Sequence, residues 1–459
     1  MMRPPAQPPS RSRLTLGMEI EFYAAIKAST FNRIIVHDCI ASLLGERLRQ
    51  LRLAGPEGYG SKFKVVFDSD HYPDEDRVVD YSRWNLTTDA TARPQNPEWF
   101  RGYESQAIEI ISPPYWARTL HWENDIQRIF SSRLGQFNPI SARELRLYYE
   151  LNKTTSFHVH IGNGVDPDSS FPFRTVRNLA IILLVYEPAI DRLLDAKLYP
   201  PPTIVGTCDR SNEPQCISSI QNPHFQPPIL PARSLRTVLA CHLFNTCTDI
   251  KSVIRAMSPL PPDKTSTPTR PWYYKFNFNP LLDSLDAPPP VVHPTEDAEP
   301  SNGHAESPSP APPPQPRAQP KSSSTAKRKP PTIEFRQQIG TLDPDTMVHW
   351  IRFLTALVEF SSKLTNRAVT EFLGLEDINI DYSPTTSEAS SSTNGAGGQQ
   401  TPRVTLNSST NSTTSLSALA LLTSMQPVGS LARLLTAMDS AKIDLDSETT
   451  RYWKRKVSP

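Results

Sequence analysis

Cysteine is scarce in this 459-residue chain: five residues, Cys39, Cys208, Cys216, Cys241 and Cys247, with no CxxC pair among them. That number and spacing exclude a disulfide framework and a zinc knuckle, leaving reduced thiols in an intracellular protein as the expectation. Charge of one sign is lacking too. Its 48 Lys+Arg oppose 47 Asp+Glu for a formal net charge of +1, which removes any bulk attraction to nucleic acid or anionic membrane. Long hydrophobic runs are missing: the longest, Leu179 to Tyr186, falls far short of the ~20 residues of a membrane-spanning helix. The N-terminal MMRPPAQPPSRSR carries no apolar stretch of the kind a secretory signal needs. Nor is there a GxxxxGK[ST], GxGxxG or GxSxG motif or a cysteine-nucleophile signature, so a P-loop, a Rossmann crevice and a serine or cysteine triad are all excluded. These absences together predict a soluble, cytoplasmic protein that binds neither membrane nor nucleic acid.

Proline, by contrast, is abundant: 47 residues, about twice the usual share of ~5%. Much of it lies in 286–331, where APPPVV, SPSPAPPPQPRAQP and KSSSTAKRKPP contain almost no large apolar side chain. Such a segment cannot offset its ordering entropy and is expected to be disordered, as are the leader 1–12 and the Ser/Thr-rich tract 382–415. The KRK run is a weak nuclear signal at most, and a solvated basic run is the simpler reading. Residues 13–285 have globular composition, and so do 332–381. The latter piece, a strand and a helix, is too small to fold alone. It therefore completes the domain begun near Leu14, with 286–331 inserted inside that one domain. Residues 416–459 are expected to add a C-terminal helical segment and tail, interrupted near Pro427.

Apolar periodicity predicts helices over 33–53, 119–134, 174–198 and 233–257, and again after 344, where Met347, Ile351, Leu354 and Val358 recur at helical spacing. Strands are predicted over 14–24, 63–68, 106–111, 145–151, 155–161, 273–279 and 332–338. Neighbouring strands without an intervening helix, such as 145–151 and 155–161, favour antiparallel pairing with each other. The fold class is α+β.

Four predicted strands carry charged or imidazole side chains among apolar ones. GMEIEF supplies Glu19 and Glu21, AIEIISPP supplies Glu109, SFHVHIG supplies His158 and His160, and TIEFRQQ supplies Glu334 and Arg336. Residues i and i+2 of a strand share a face. Each pair therefore projects together, while Ile20, Phe22, Val159, Ile161, Ile333 and Phe335 turn to the other side and a core. Each pair alone fits a solvated strand face, a hydrogen-bonded imidazole or a cross-strand ion pair. Together they point to a divalent metal: adjacent carboxylates repel unless a cation or proton lies between them, and Mg²⁺ or Mn²⁺ takes oxygen ligands with an occasional imidazole. An arginine beside one carboxylate suits phosphate oxygens or a second carboxylate. Trp84 and Asp89 of RWNLTTDAT are weaker candidates for the pocket wall. Lys275, Asn277 and Asn279 of YYKFNFNP alternate onto one strand face, where they would reach substrate or nucleotide unless they form a solvated edge. His349, beside Trp350 in a helix, has a structural role.

In their order along the chain, GMEIEF, RWNLTTDAT, AIEIISPP, SFHVHIG and TIEFRQQIGTLD with its Trp-containing helix resemble the amidoligase family found widely in fungi. That family is similar to carboxylate–amine ligases such as glutamine synthetase and glutamate–cysteine ligase. The resemblance covers roughly 14–163 and 273–363. It implies a curved, mainly antiparallel sheet of glutamine synthetase-like type with helices on one face, binding ATP and Mg²⁺ or Mn²⁺. It further implies Glu19, Glu21, Glu109, His158 and Glu334 as metal ligands, His160 near the nucleotide phosphates and Arg336 at the transferred phosphoryl group. Lys275 and Asn277 are further candidates for nucleotide contact, and Glu104 or Glu150 for a remaining ligand. The implied activity is ATP-dependent amide-bond formation through an acyl phosphate on an amino-acid, peptide or protein carboxylate. Two alternatives stand beside it: a metal-dependent hydrolase using the HxH pair, and a non-catalytic interaction module whose PxxP segments dock SH3 or WW domains.

Overall fold

A computed structural model describes residues 13–29, 40–49, 51–58, 63–66, 78–89, 92–94, 97–134, 147–152, 154–166, 169–194, 232–258, 275–285, 331–373, 378–381, 403–406, 429–443 and 445–457. The leader, 286–330, the stretch before Pro427 and most of 382–415 lie outside the described residues.

The chain's first strand organises the fold. β1 (Thr15–Lys27) alternates strictly: Leu16, Met18, Ile20, Phe22, Ala24 and Ile26 are buried, while Gly17, Glu19, Glu21 and Tyr23 turn to the opposite face. Among the described residues the sheet has nine strands. They are β1, β2 (Lys64–Val65), β3 (Asn85–Thr88), β4 (Tyr103–Ile111), β5 (Tyr115–Trp116), β6 (Leu147–Glu150), β7 (Ser156–Gly162), β8 (Phe276–Asn277) and β9 (Thr332–Ile339). Their order is β2-β3-β4-β1-β7-β9-β8, and among the described residues only the β2–β3 pair is parallel. The fold is thus mixed α+β around a mostly antiparallel open sheet, as the pattern of strands predicts.

The pairing of 145–151 with 155–161 is corrected. β6 and β7 do not form a hairpin. They run in line along one edge of β1, β6 opposite Tyr23–Ile26 and β7 opposite Thr15–Ile20. The connection jogs instead of reversing because Asn152 and Thr155 close a tight turn on each other: the Asn152 N–H donates to Thr155 Oγ1 at 3.0 Å and the Thr155 N–H to the Asn152 carbonyl at 3.1 Å. β4 and β5 run in line along the other edge in the same way. A further irregularity lies between β7 and β9, where Arg336 and Gln337 together stand opposite His158. Such a bulge re-aims side chains.

The helices are α1 (Ile40–Leu48), α2 (His121–Ile126, continued by a wider turn over Gln127–Leu134), α3 (Phe173–Asp191), α4 (Ala232–Thr246), α5 (Ile250–Met257) and α6 (Leu282–Leu285). After β9 come α7 (Pro344–Lys363), α8 (Asn366–Leu373), α9 (Leu431–Ser440) and α10 (Ser447–Val457). The single helix predicted over 233–257 is two, because Asp249 accepts from the Ser252 N–H and caps a new start. α7 begins with Asp343 as cap and Pro344 in the first turn, and its faces bury Met347, Trp350, Ile351 and Leu354. One continuous core joins the even-numbered side of β1, Ile108, Ile110, Val159, Ile161, Ile333 and Phe335 with α3 and α7. α10 closes on it through Trp453, whose ring packs edge-on against Trp350. His349 stacks on Tyr452 and its Nδ1 meets Thr449 Oγ1 at 2.8 Å, a structural role. In the tract expected to lack structure, β11 (Arg403–Leu406) pairs antiparallel with β10 (Ile378–Asp381). No helix among the described residues is long and apolar enough to cross a membrane.

Candidate metal centre

Register brings the odd-numbered face of β1 into contact with the polar residues of its neighbours. Glu19 lies directly opposite His158, Glu21 opposite Glu109, and His160 opposite Glu334, which in turn faces Asn277 on β8. Five strands thus converge on one patch. His158 Nδ1 lies 3.1 Å from Glu19 Oε2, 3.6 Å from Glu21 Oε1 and 3.7 Å from Glu334 Oε1. His160 Nε2 lies 3.2 Å from Glu19 Oε1 and 4.0 Å from Glu334 Oε1. Arg336 pairs with Glu334 Oε1, and Asn277 Nδ2 donates to Glu334 Oε2 at 2.6 Å. Each strand keeps its apolar alternates in the core, so the sheet supplies the rigidity that holds these distances.

The electrostatics divide the patch. Burial alone would raise Glu19, but the charges and hydrogen bonds of His160 and His158 outweigh it and hold the carboxyl well below the usual range. Burial likewise opposes the ionised form of Glu334, and Arg336, His160 and His158 overcome it, leaving that carboxyl lowered. His160 is pushed down by burial and, more strongly in sum, up by Glu19 and Glu334. On the β4 side the balance reverses. Burial pushes Glu21 up to about 7, with Asp89 adding to it and His158 opposing. Burial and the charges of Glu19, Glu21 and Asp89 raise Glu109 well above the usual range. The face therefore has an end at Glu19 and Glu334 where the carboxyls are lowered and an end at Glu21 and Glu109 where they are raised.

Glu19, His160 and Glu334 offer ligand atoms that all lie within 4.8 Å of one another, a set able to hold a metal ion. The donor chemistry, two carboxylates and one imidazole, fits a divalent cation. His158 sits behind them, almost fully buried, with its Nε2 meeting no hydrogen-bond partner. Beside the triad opens a cavity of about 480 Å³, bordered by Gly17, Tyr81, Asn279, Thr332 and Arg336. Glu21, Glu109 and His158 are not on its wall.

The remaining candidates separate. Lys275 is not brought to the patch: its Nζ is held by Asp191 at 2.7 Å and Glu187 at 3.2 Å, both on α3. Asn277 arrives, but against Glu334. Trp84 is a core residue, fully buried, with Nε1 donating to Tyr115 Oη at 2.7 Å. Asp89, just beyond β3, is near enough to raise both Glu21 and Glu109. Glu104 is exposed and, by alternation, on the face opposite Glu109; Glu150 lies at the Tyr23 end, bonded to Asn152. Sequence reasoning missed the role of Thr332, which starts β9, borders the cavity and approaches His160 Nδ1 at 3.5 Å. Its place as the first residue of TIEFR, on the same strand face as Glu334, is the available signal.

Fold and site together define an α+β protein with a carboxylate–histidine centre on one sheet face. No family model matches the chain, and no curated protein and no solved structure matches it.

Proposed function

We propose that the protein is an ATP-dependent carboxylate–amine ligase of the amidoligase type, its sheet of the glutamine synthetase-like kind. The supporting observation is the convergence of Glu19, His160, Glu334 and Arg336 at the edge of one cavity. In this reaction class, divalent ions and ATP supply an activated phosphoryl group, which a substrate carboxylate accepts before an amine displaces it. Glu19, His160 and Glu334 would hold an ion, with Glu21, Glu109 and His158 completing the polar face behind it. Arg336 would meet negative charge as it grows on phosphoryl oxygens, a role supported by its guanidinium lying against the patch. No side-chain nucleophile is needed, because the substrates bring both reacting groups.

Calorimetric titration with a non-hydrolysable ATP analogue, with and without Mg²⁺, tests this reading. Saturable binding is expected only with Mg²⁺, and Glu334→Gln is expected to weaken it by at least about tenfold with the fold retained. Absence of binding in both conditions would overturn the ligase. Stoichiometric zinc in the purified protein would then favour the hydrolase, and its absence the interaction module.

A further inference from the structure

Glu334 is the acid that joins the metal-capable triad to the arginine, and its two oxygens have different surroundings. Oε1 faces His158, His160 and Arg336. Oε2 takes a hydrogen bond from Asn277 Nδ2 at 2.6 Å. The orientation of that carboxamide is itself determined, because the Asn279 backbone N–H meets its oxygen at 3.1 Å. A backbone N–H can only donate, so the atom it meets is Oδ1, and Nδ2 must point to Glu334. Asn277 stands directly opposite Glu334 across the β8–β9 pair and, like it, is nearly buried. Both side chains border the cavity with little of their surface exposed.

We infer that Asn277 is the positioning residue of the metal centre: it holds Oε2 of Glu334 so that the carboxylate presents Oε1 alone to the ion. The inference rests on the metal reading above and moves Asn277 from nucleotide contact to the support of a ligand. Its consequence is ion choice. Mg²⁺ and Mn²⁺ accept single carboxylate oxygens in octahedral geometry, whereas Ca²⁺, with more ligands at longer distance, gains from carboxylates that chelate through both oxygens. Each carboxylate oxygen has two lone pairs, so Oε1 can meet Arg336 and an ion together. Turning Oε2 to the same ion would weaken its bond from Asn277, which disfavours chelation and favours the smaller ions. Outer hydrogen bonds of this kind commonly set metal affinity by 10–100-fold.

The test is calorimetric binding of Mn²⁺ and of Ca²⁺ to the full chain and to Asn277→Leu, with thermal melts of both. Asn277→Leu keeps the branched shape of the edge-strand side chain, though it is larger, and removes the donor. Mn²⁺ binding is expected to weaken by about tenfold and Ca²⁺ binding by clearly less, so that the preference between the ions narrows. Should the leucine variant fail to fold, Asn277→Ser, too short to span the contact, answers the same question. A control is Asn178→Ala, which removes a different buried carboxamide, one that donates to the Ser361 and Leu364 carbonyls. It is expected to lower the melting temperature without altering either affinity. Unchanged Mn²⁺ binding in a folded Asn277 variant, or equal losses for both ions, would overturn the inference while leaving the metal centre standing. A wild-type chain that binds no Mn²⁺ would overturn both.

Discussion

Single side chains on the patch respond to pH in opposite senses, and their sum predicts how the metal-free protein behaves. Glu21 holds its proton to about 7, whereas the unfolded chain releases it near the ordinary value of 4.5. Between those points the folded state binds more protons, so stability falls as pH rises, by about 3 kcal/mol for this group. Glu109 acts in the same direction, and so does His160, whose contribution is present below about 6.5 and lost as pH passes its raised folded value. Glu19 and Glu334, lowered in the fold, contribute above their unfolded values and lose that contribution only in acid. In chelator the melting temperature should therefore be higher at about pH 5.5 than at about pH 8. Mn²⁺ should raise it more near about pH 8, where it no longer competes with protons. A melting temperature flat across this range, with and without Mn²⁺, would contradict the coupling. These residues were legible because the chemistry is written at i and i+2: Glu19 with Glu21, His158 with His160, Glu334 with Arg336. Lys275 and Asn277 fit the same rule and separated, since only Phe276–Asn277 is strand and Lys275 is drawn to Glu187 and Asp191 on α3. Two carboxylates elsewhere in the chain cannot be seen from YYKFNFNP.

Elements are held to one another by a few buried polar contacts, of which Asp125 is the plainest. Fully buried in α2, it accepts the Ala54 N–H at 2.6 Å, the Gly55 N–H at 2.8 Å and the Tyr115 hydroxyl at 2.8 Å. Tyr115 in turn accepts from Trp84. The chain after α1 and β5 thus share one acceptor on α2, and the residue before β3 joins them through Tyr115. Asp125→Ala strands these donors and should cost about 3 kcal/mol or more, read as a lower denaturation midpoint. A loss under about 0.5 kcal/mol would show that the contacts carry little. Long strands and helices with strong periodicity, such as Thr15–Lys27 and Pro344–Lys363, were legible; Asn85–Thr88 and Tyr115–Trp116 were not. Short strands lack enough alternation to announce themselves, and what makes them strands is a long neighbour to pair with: Ile108–Ile111 of β4 for the first, Thr15 and Leu16 of β1 for the second. The jog at Asn152–Thr155 was hidden for the same reason. Two β segments separated by a few polar residues read as a hairpin, and only β1 on their common edge turns them into one broken strand.

At the scale of the whole molecule, the separation of 13–285 from 332–381 in sequence disappears in the sheet. β9 is inserted between β7 and β8, with Glu334 opposite both His160 and Asn277. Because β8 and β9 are antiparallel neighbours, 286–331 is an excursion in the connection between them, leaving after α6 and returning at β9. Its replacement by a Gly/Ser linker of about ten residues should leave the melting temperature and Mn²⁺ affinity close to wild type. Loss of either would give the proline-rich segment a structural part to play. The same topology has a temporal side. During synthesis, the ribosome delivers the carboxylates of β1 first, the imidazoles of β7 much later, and Glu334 only after the whole proline-rich stretch has emerged. Until then the nascent sheet lacks a strand beside β7, and its acids have no arginine and no third ligand. The capacity to hold a cation therefore arises only once β9 has been made, with α7 to α10 still to follow.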